Sequence, residues 1–267
     1  MKPVALFVKS NEHLHGAYLR YFKSRNLARL SKLGIRYDPK TKTAILDYKK
    51  QNISFACSGP DSLLDMAGLL ADQFVDEQYA WLSPKGSNVV DIGANIADSA
   101  IYFAANGAMH VYAIEPFPHS HRIASRNISL NKYGKRITLL RVACGGRPGS
   151  IRIDPKIESN AASVASHSGK GVGVPIVTLK QLSDRYNLGN AVLKIDCEGC
   201  EYGIIMSSDR QTLRRFSRIM IEAHYGYKEM GRKLRSCGFS VRLTPLNYML
   251  GYDKRDMLLG MVYAERK

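Results

Sequence analysis

Two short stretches concentrate the reactive side chains of this chain. Lys194-Ile195-Asp196-Cys197-Glu198-Gly199-Cys200-Glu201 brings an ammonium, three carboxylates and two thiols together, and Ile221-Glu222-Ala223-His224 adds a carboxylate and an imidazole. Each follows an apolar run, Ala191-Val192-Leu193 and Ile219-Met220, so both read as the ends of buried strands. Side chains alternate along a strand, which puts Lys194 and Asp196 on one face and Leu193 and Ile195 on the other. A charged pair in a buried parallel sheet is costly unless it serves a site. The chemistry available there is the activation of a weak nucleophile such as a hydroxyl. Asp196 is the first choice as base or proton acceptor. Lys194 would lower the hydroxyl pKa by its charge, and Glu222 or His224 would orient the group or relay the proton. His224 also fits a polar surface histidine after a strand, and Glu201 reads as part of a solvated helix face. Asp196, Glu198 and Glu222 have the oxygen chemistry to chelate a divalent ion, yet nothing in the spacing demands one, and no metal is expected.

A second constellation lies upstream. Val89-Val90-Asp91-Ile92-Gly93-Ala94-Asn95 ends an apolar run and passes at once into a helical pattern through Ile96, Ala100, Ile101 and Phe103. A small-residue turn opening a helix lets backbone N–H groups approach an anionic or carboxylate-bearing ligand, and Gly93 suits that close approach. Ile114-Glu115-Pro116 ends the next apolar run, where an acid can accept hydrogen bonds from two ribose hydroxyls. Of the glycines in G-x-G-x-x-G only the first is present, since Asn95 and Asp98 hold the later positions. Asp91 would repel a pyrophosphate but suits the cationic amino-acid end of S-adenosylmethionine, directly or through water. The pattern therefore favours S-adenosylmethionine over a dinucleotide.

These residues need an open sheet to position them. From Asn88 onward, short apolar runs alternate with amphipathic segments, the pattern of parallel strands joined by helices. Strands are expected near 88–92, 109–115, 137–143, 192–196 and 218–223, helices near 96–106, 119–131, 179–186, 199–207 and 227–237, and two late strands near 239–244 and 257–264. Ligands of such sheets sit at the carboxyl ends of the strands, where both constellations fall. The small-residue stretch 159–173 lies beside those ends and suits a lid or acceptor-recognition loop.

Before Pro84 the texture is irregular and basic. Leu19, Phe22, Leu30 and Leu33 recur at helical spacing with Arg20, Lys23, Arg25, Arg29, Lys32 and Arg36 between them, so residues 17–34 read as a basic amphipathic helix that either touches RNA or a membrane or packs its apolar stripe inward. Residues 43–47 and 53–57 read as a strand pair, and 61–82 as a helix. The expected organisation is an N-terminal extension over 1–82 and a cofactor-binding domain over 83–267.

The segments DIGANIADSAIYFAANGA, VYAIEPFP and LKIDCEGCEY, in this order, resemble the FkbM-type methyltransferases, in which DIGAN, E-P-x-P and K-x-D-x-E-G-x-E recur. The resemblance covers about residues 86–225 and leaves 1–80 outside it. It implies an α/β, Rossmann-like class I methyltransferase fold with a mostly parallel seven-stranded sheet whose last strand is antiparallel, S-adenosylmethionine as methyl donor, and a hydroxyl acceptor on a small molecule, sugar or glycan. By position, Asp91, Gly93, Ala94 and Asn95 would line the methionine end, Glu115 would hold the ribose, and Val142 and Ala143 would flank the adenine. Asp196 would stand beside the transferred methyl group, with Glu198 as its neighbour on the acceptor side. Ala97 departs from the family, which often has glycine there. Small apolar residues usually fill the positions of Cys197 and Cys200, so these two are expected to pack as small hydrophobes.

Composition bounds the rest. A chain of 267 residues with 45% hydrophobic content can bury one sizeable core. The five cysteines, Cys57, Cys144, Cys197, Cys200 and Cys237, form no secreted framework or zinc spacing and are expected to be reduced. No apolar run approaches the roughly 20 residues of a membrane span, and the expected location is cytoplasmic. A formal charge of +16 makes RNA the alternative acceptor, through a ribose hydroxyl or a base. A non-catalytic nucleoside-binding scaffold is a further alternative, disfavoured by charged groups at three strand ends.

Overall fold

The computed structural model describes residues 21, 23–156, 171–250 and 256–267. The chain divides after Gln78 into two compact units.

In the first unit a helix over residues 23–30 (α1) passes into a 3-10 turn, Ser31–Leu33, which ends at Gly34 in the left-handed region. An antiparallel sheet follows, β1 (Arg36–Asp38), β2 (Thr43–Tyr48) and β3 (Gln51–Ala56), then α2 (Pro60–Phe74). Leu46, Tyr48, Ile53 and Phe55 of the hairpin are buried together with Ala67, Leu70, Ala71 and Phe74 of α2. The Phe74 ring meets Tyr48 and Phe55 edge-on at 5.2 and 5.8 Å between centroids. Of the basic residues expected on α1, Lys23 pairs with Asp65 at 2.6 Å, and Arg29 pairs with Asp72 at 2.7 Å and Asp76 at 2.5 Å. Leu30 is fully buried, so this helix packs its apolar side inward; Leu19, Arg20 and Phe22 lie outside the described residues. Two expectations need correction. A third strand, β1, joins the expected pair, and the helix expected over 61–82 stops at Phe74. Glu77 adopts φ +49°, which no helix accommodates, and only a 3-10 turn at Ala80–Leu82 follows.

The second unit is built on one twisted sheet in the order β12-β14-β11-β10-β4-β5-β6, with β13 added against β14. Its strands are β4 (Asn88–Ile92), β5 (His110–Ile114), β6 (Ile137–Leu140), β10 (Ala191–Ile195), β11 (Phe216–Ala223), β12 (Phe239–Leu243), β13 (Asn247–Leu250) and β14 (Asp256–Arg266). The pairs β4–β5, β5–β6, β4–β10 and β10–β11 are parallel, while β14 runs antiparallel to both β11 and β12. Helices α3 (Asp98–Ala105), α4 (Pro118–Ser129), α5 (Leu179–Arg185), α6 (Glu201–Ser207), α7 (Arg210–Leu213) and α8 (Lys228–Ser236) connect the strands. The seven-stranded α/β pattern with an antiparallel last strand is present; β13 extends it by one strand.

β4 and β10 are neighbours, and the chain leaves them in opposite directions, toward β5 and β6 on one side and toward β11 on the other. That reversal opens a crevice at their carboxyl ends. Alternation sorts their side chains. Val90, Ile92, Leu193, Ile195, Ile219 and Ile221 join one apolar cluster, and Asp91, Lys194 and Met220, which are in register across the three strands, point the other way.

The strand expected over 137–143 is interrupted. β6 ends at Leu140, and the chain leaves the main sheet to form β7 (Ala143–Cys144), which pairs with β9 (Val172–Val177) in a small sheet completed by β8 (Gly149–Ile153). Val172 and Gly173, expected in a loop, open β9, and residues 159–170 of that candidate lid lie outside the described residues. No helix among the described residues is long and apolar enough to cross a membrane.

Candidate active site

The turn after β4 is stitched to its neighbours by main-chain bonds. Gly93 N and Ala94 N both donate to Ile114 O at 3.0 Å, and Asn95 N donates to Glu115 Oε2 at 2.8 Å. The amides expected to greet a ligand are thus committed to β5 and its end. Gly93 has φ +81°, and a Cβ built on it would lie 1.6 Å from the Asp196 carbonyl oxygen. The glycine serves the approach of the loop after β10, a different reason from the ligand approach expected. Asn95 and Ala97 also adopt positive φ, +46° and +68°. Ala97, at the N-cap of α3, thus occupies a left-handed position that glycine fills at less cost, which accounts for the family's preference.

Asp91 is completely buried beneath this turn. Its Oδ2 accepts from Ser99 Oγ at 2.7 Å, and its Oδ1 stands 3.2 Å from Lys194 Nζ. Lys194, 2% exposed, also donates to Gly93 O at 2.7 Å and lies 3.9 Å from Asp196 Oδ2. Burial opposes its charge, but Asp91, Asp196 and Asp98 outweigh burial and raise its pKa. The geometry gives Asp91 and Lys194 a supporting task, holding the turn and Asp196 from below.

Glu115 ends β5 with a carboxylate 1% exposed, its Oε1 accepting from Phe117 N at 2.9 Å. Burial pushes its pKa up to about 8 against the pull of these amides. Asp98, 4% exposed in the first turn of α3, is pushed up to about 7, again mainly by burial. Val142 borders an apolar cavity of about 190 Å³ with Leu140, Val177, Leu182 and Tyr186. Ala143 is buried in β7.

Around Asp196 the strands of the reaction site converge. Its side chain is 28% exposed, with Oδ2 3.5 Å from Tyr79 Oη and Oδ1 3.9 Å from His224 Nε2. Glu222 is pushed up to about 8, first by burial and then by Asp196. His224 is buried at 3% and is no surface histidine. Burial opposes its protonation, but the hydrogen bond and charge of Glu201, joined by Glu198 and Asp196, raise its pKa to about 9. Glu201, expected on a solvated helix face, is 2% exposed: its Oε1 accepts from Cys197 N at 3.2 Å and Gly199 N at 3.0 Å and meets His224 Nδ1 at 2.9 Å. The side chain curls back from the first residue of α6 into the preceding loop, where donors await it.

Cys197 and Cys200 are joined in a disulfide, contrary to the reduced, hydrophobic packing expected. Glu198 and Gly199 adopt φ +56° and +115°, folding the loop back so that the two Cα atoms are 5.6 Å apart, within disulfide reach. Cys57, Cys144 and Cys237 are free, as expected, and buried.

The site brings together Asp91, Gly93, Asn95, Glu115, Lys194, Asp196, Glu198, Glu222 and His224 at one edge of the sheet. Sequence reasoning missed Tyr79, whose ring is 5.6 Å from Lys194 Nζ, and Asp98. Tyr79 lies inside the segment 61–82 read as continuous helix, which hid it; Asp98 was visible only as a missing glycine.

The donor set fits a cationic nucleoside. The acids Asp98, Glu115, Asp196, Glu198 and Glu222 outnumber the cations, and burial raises three of them, so the pocket lacks positive charge that a sulfonium and an ammonium would bring. Together with the sheet order, this defines a Rossmann-like class I fold shaped for S-adenosylmethionine. The Methyltransferase FkbM domain matches residues 91–241, more than half of the chain, and the protein belongs to that family. It is an S-adenosylmethionine-dependent methyltransferase. Similar solved structures include the S-adenosylmethionine-dependent methyltransferase from Agrobacterium tumefaciens (12% identity, 85% of this chain and 71% of that one, TM-score 0.48). M. capricolum TrmK in complex with S-adenosyl-homocysteine is similar at 13% identity over 72% of this chain and 67% of that one, with TM-score 0.44. Precorrin-6y C5,15-methyltransferase from Geobacter metallireducens GS-15 is similar at 16% identity over 72% and 89%, with TM-score 0.40. No curated protein sequence matches the chain.

Proposed function

We propose that the protein methylates a hydroxyl group on a small molecule, sugar or glycan. One observation carries this reading: at the crevice mouth the part-exposed carboxylate of Asp196 stands between Tyr79 Oη, Lys194 Nζ and His224 Nε2, at 3.5, 3.9 and 3.9 Å. An acceptor hydroxyl is a weak nucleophile until its proton is drawn away, and a carboxylate fixed by three neighbours is placed to take that hydrogen and aim the oxygen lone pair. S-adenosylmethionine supplies an electrophilic methyl group on a sulfonium when bound. Glu115 holds the ribose end, the turn from Gly93 to Asn95 lines the methionine end over Asp91, and Val142 and Ala143 border the adenine. Glu198 stands on the acceptor side, and Glu222 and His224 back Asp196.

The test is calorimetric titration with S-adenosylhomocysteine of wild type, Glu115→Ala and Asp196→Ala, followed by a screen of hydroxyl acceptors against RNA. Loss of binding in Glu115→Ala, retained binding in Asp196→Ala and turnover of a sugar or small-molecule hydroxyl support the reading. Tight, steeply salt-dependent RNA binding with methylated RNA as product replaces it with the RNA alternative suggested by the +16 charge.

A further inference from the structure

We propose that Asp196, Glu198 and His224 form a binding site for one divalent transition-metal cation, with Glu201 as the positioning residue behind it. The inference rests on the hydroxyl-methylation reading for its purpose but not for its geometry. One ligand atom from each of the three residues lies within 4.8 Å of the others, and His224 Nε2 is 3.3 Å from Glu198 Oε2 and 3.9 Å from Asp196 Oδ1. A cation with bonds of about 2.0–2.2 Å asks for ligand separations of roughly 3–3.5 Å. Glu198 already meets that separation, and a small rotation of the Asp196 carboxylate brings it into range.

The stronger argument is the tautomer. Glu201 is a buried carboxylate 2.9 Å from His224 Nδ1, and it accepts there as it accepts from two loop amides, so Nδ1 carries the hydrogen. In the neutral ring, Nε2 then presents a lone pair. That nitrogen faces two carboxylates, an arrangement that repels unless a proton on Nε2 or a cation lies among the three atoms, and a metal cation would take the place of that proton. Lys194 does not serve, because its ammonium is spent on Asp91 and Gly93 O and meets Asp196 on the opposite oxygen. A sulfonium has no open position for an imidazole lone pair. A carboxylate behind a histidine whose far nitrogen faces further ligands is the usual support of a metal-bound imidazole.

The loop is built around the same point. Glu198 sits at φ +56°, an uncommon position for its residue type, and the Cys197–Cys200 disulfide closes the loop on either side of it while Glu201 bonds the amides of Cys197 and Gly199. One nitrogen and two carboxylates favour Mn²⁺, Fe²⁺ or Zn²⁺ over Ca²⁺ and Mg²⁺. With such a cation beside Asp196, an acceptor hydroxyl coordinated to it would ionise more readily.

The experiment uses the full-length protein stripped with chelator, titrated with Mn²⁺ and followed by the electron paramagnetic resonance of the free ion, without S-adenosylmethionine. One Mn²⁺ per chain is expected, at least tenfold tighter than Mg²⁺. Glu198→Gln, in a part-exposed side chain that does not threaten the fold, weakens Mn²⁺ at least tenfold, as does His224→Gln, and Glu201→Gln weakens it by about 10–100-fold. Absence of saturable binding, with only a proton bridging the site, overturns the proposal. So does binding that Glu198→Gln and His224→Gln leave unchanged. Titration of the same samples with S-adenosylhomocysteine and assay of hydroxyl methylation keep the two readings apart. Methylation that persists in chelated protein blind to Mn²⁺ sinks the metal site alone; Mn²⁺ binding in a protein that methylates no hydroxyl sinks the acceptor class alone.

Discussion

Replacing Gly93 by alanine perturbs the point where the cofactor turn meets the reaction loop. The added Cβ would lie 1.6 Å from the Asp196 carbonyl oxygen, 2.7 Å from its carbon and 3.3 Å from Cys197 Cα. The first distance is roughly 2 Å short of an ordinary non-bonded separation, and the obstacle is backbone, so no rotamer relieves it. The residue also sits at φ +81°, where alanine costs about 1–2 kcal/mol. Overpacking adds about 1–3 kcal/mol, for a total of about 2–5 kcal/mol. For a unit of this size that lowers the melting midpoint by roughly 4–20 °C. Gly86 provides the control: its φ is +71° but nothing lies within 4 Å of its Cβ position, so Gly86→Ala bears only the conformational part. Differential scanning calorimetry of both variants separates clash from strain. S-adenosylhomocysteine affinity of Gly93→Ala should fall at least tenfold as the turn and Asp196 move apart. A midpoint for Gly93→Ala equal to that of Gly86→Ala, with affinity intact, would refute the close approach.

Three further outcomes are expected. Lys194→Met leaves Asp91 buried without its cation and should cost about 3–5 kcal/mol in urea unfolding; a loss under 1 kcal/mol would contradict the supporting task assigned to the pair. Glu115 and Asp98 have folded pKa values raised to about 8 and about 7, above the ordinary 4.5 and 3.8, so the stability they contribute is fully present below about pH 4 and is lost as pH rises toward 8. Melting midpoints measured from pH 4 to 9 should fall over that window, and Glu115→Gln should flatten the fall; a curve that rises instead refutes the burial argument. Alkylation of the native, non-reduced protein should label no cysteine, and after denaturation only Cys57, Cys144 and Cys237; labelling of Cys197 or Cys200 contradicts the disulfide.

The order of strands and helices from Asn88 onward was legible because buried parallel strands need apolar runs, and Val89, Val90 and Ile92, and Ala191 to Leu193 with Ile195, supply them, each run broken once by a charged residue, Asp91 or Lys194. Left-handed backbone was harder to read. Glu77, Ala97 and Glu198 adopt positive φ without being glycine, so a helix was carried past its end and the loop after β10 was not seen to fold back. The small sheet β7-β9-β8 was hidden for a different reason: β7 has only two residues, and its continuity with the apolar end of β6 made a single strand the simpler reading.

Within the site, residue types announced themselves but their partners did not. The carboxylates Asp91, Glu115, Asp196, Glu198 and Glu201 are one residue class in sequence, yet the fold assigns them separate tasks by what stands opposite. Asp91 is neutralised from below by Lys194, Glu115 takes two amides, and Glu201 takes two amides and an imidazole. Asp196 and Glu198 alone among these five keep substantial exposure, 28% and 41% of their side chains, and both face His224. Buried acids with fixed partners hold geometry, and part-exposed acids aimed at one imidazole are where an incoming cation or hydroxyl finds a ligand. The division between scaffold and chemistry therefore follows from pairing across β4, β10 and β11, a property of register that no single segment of the chain carries.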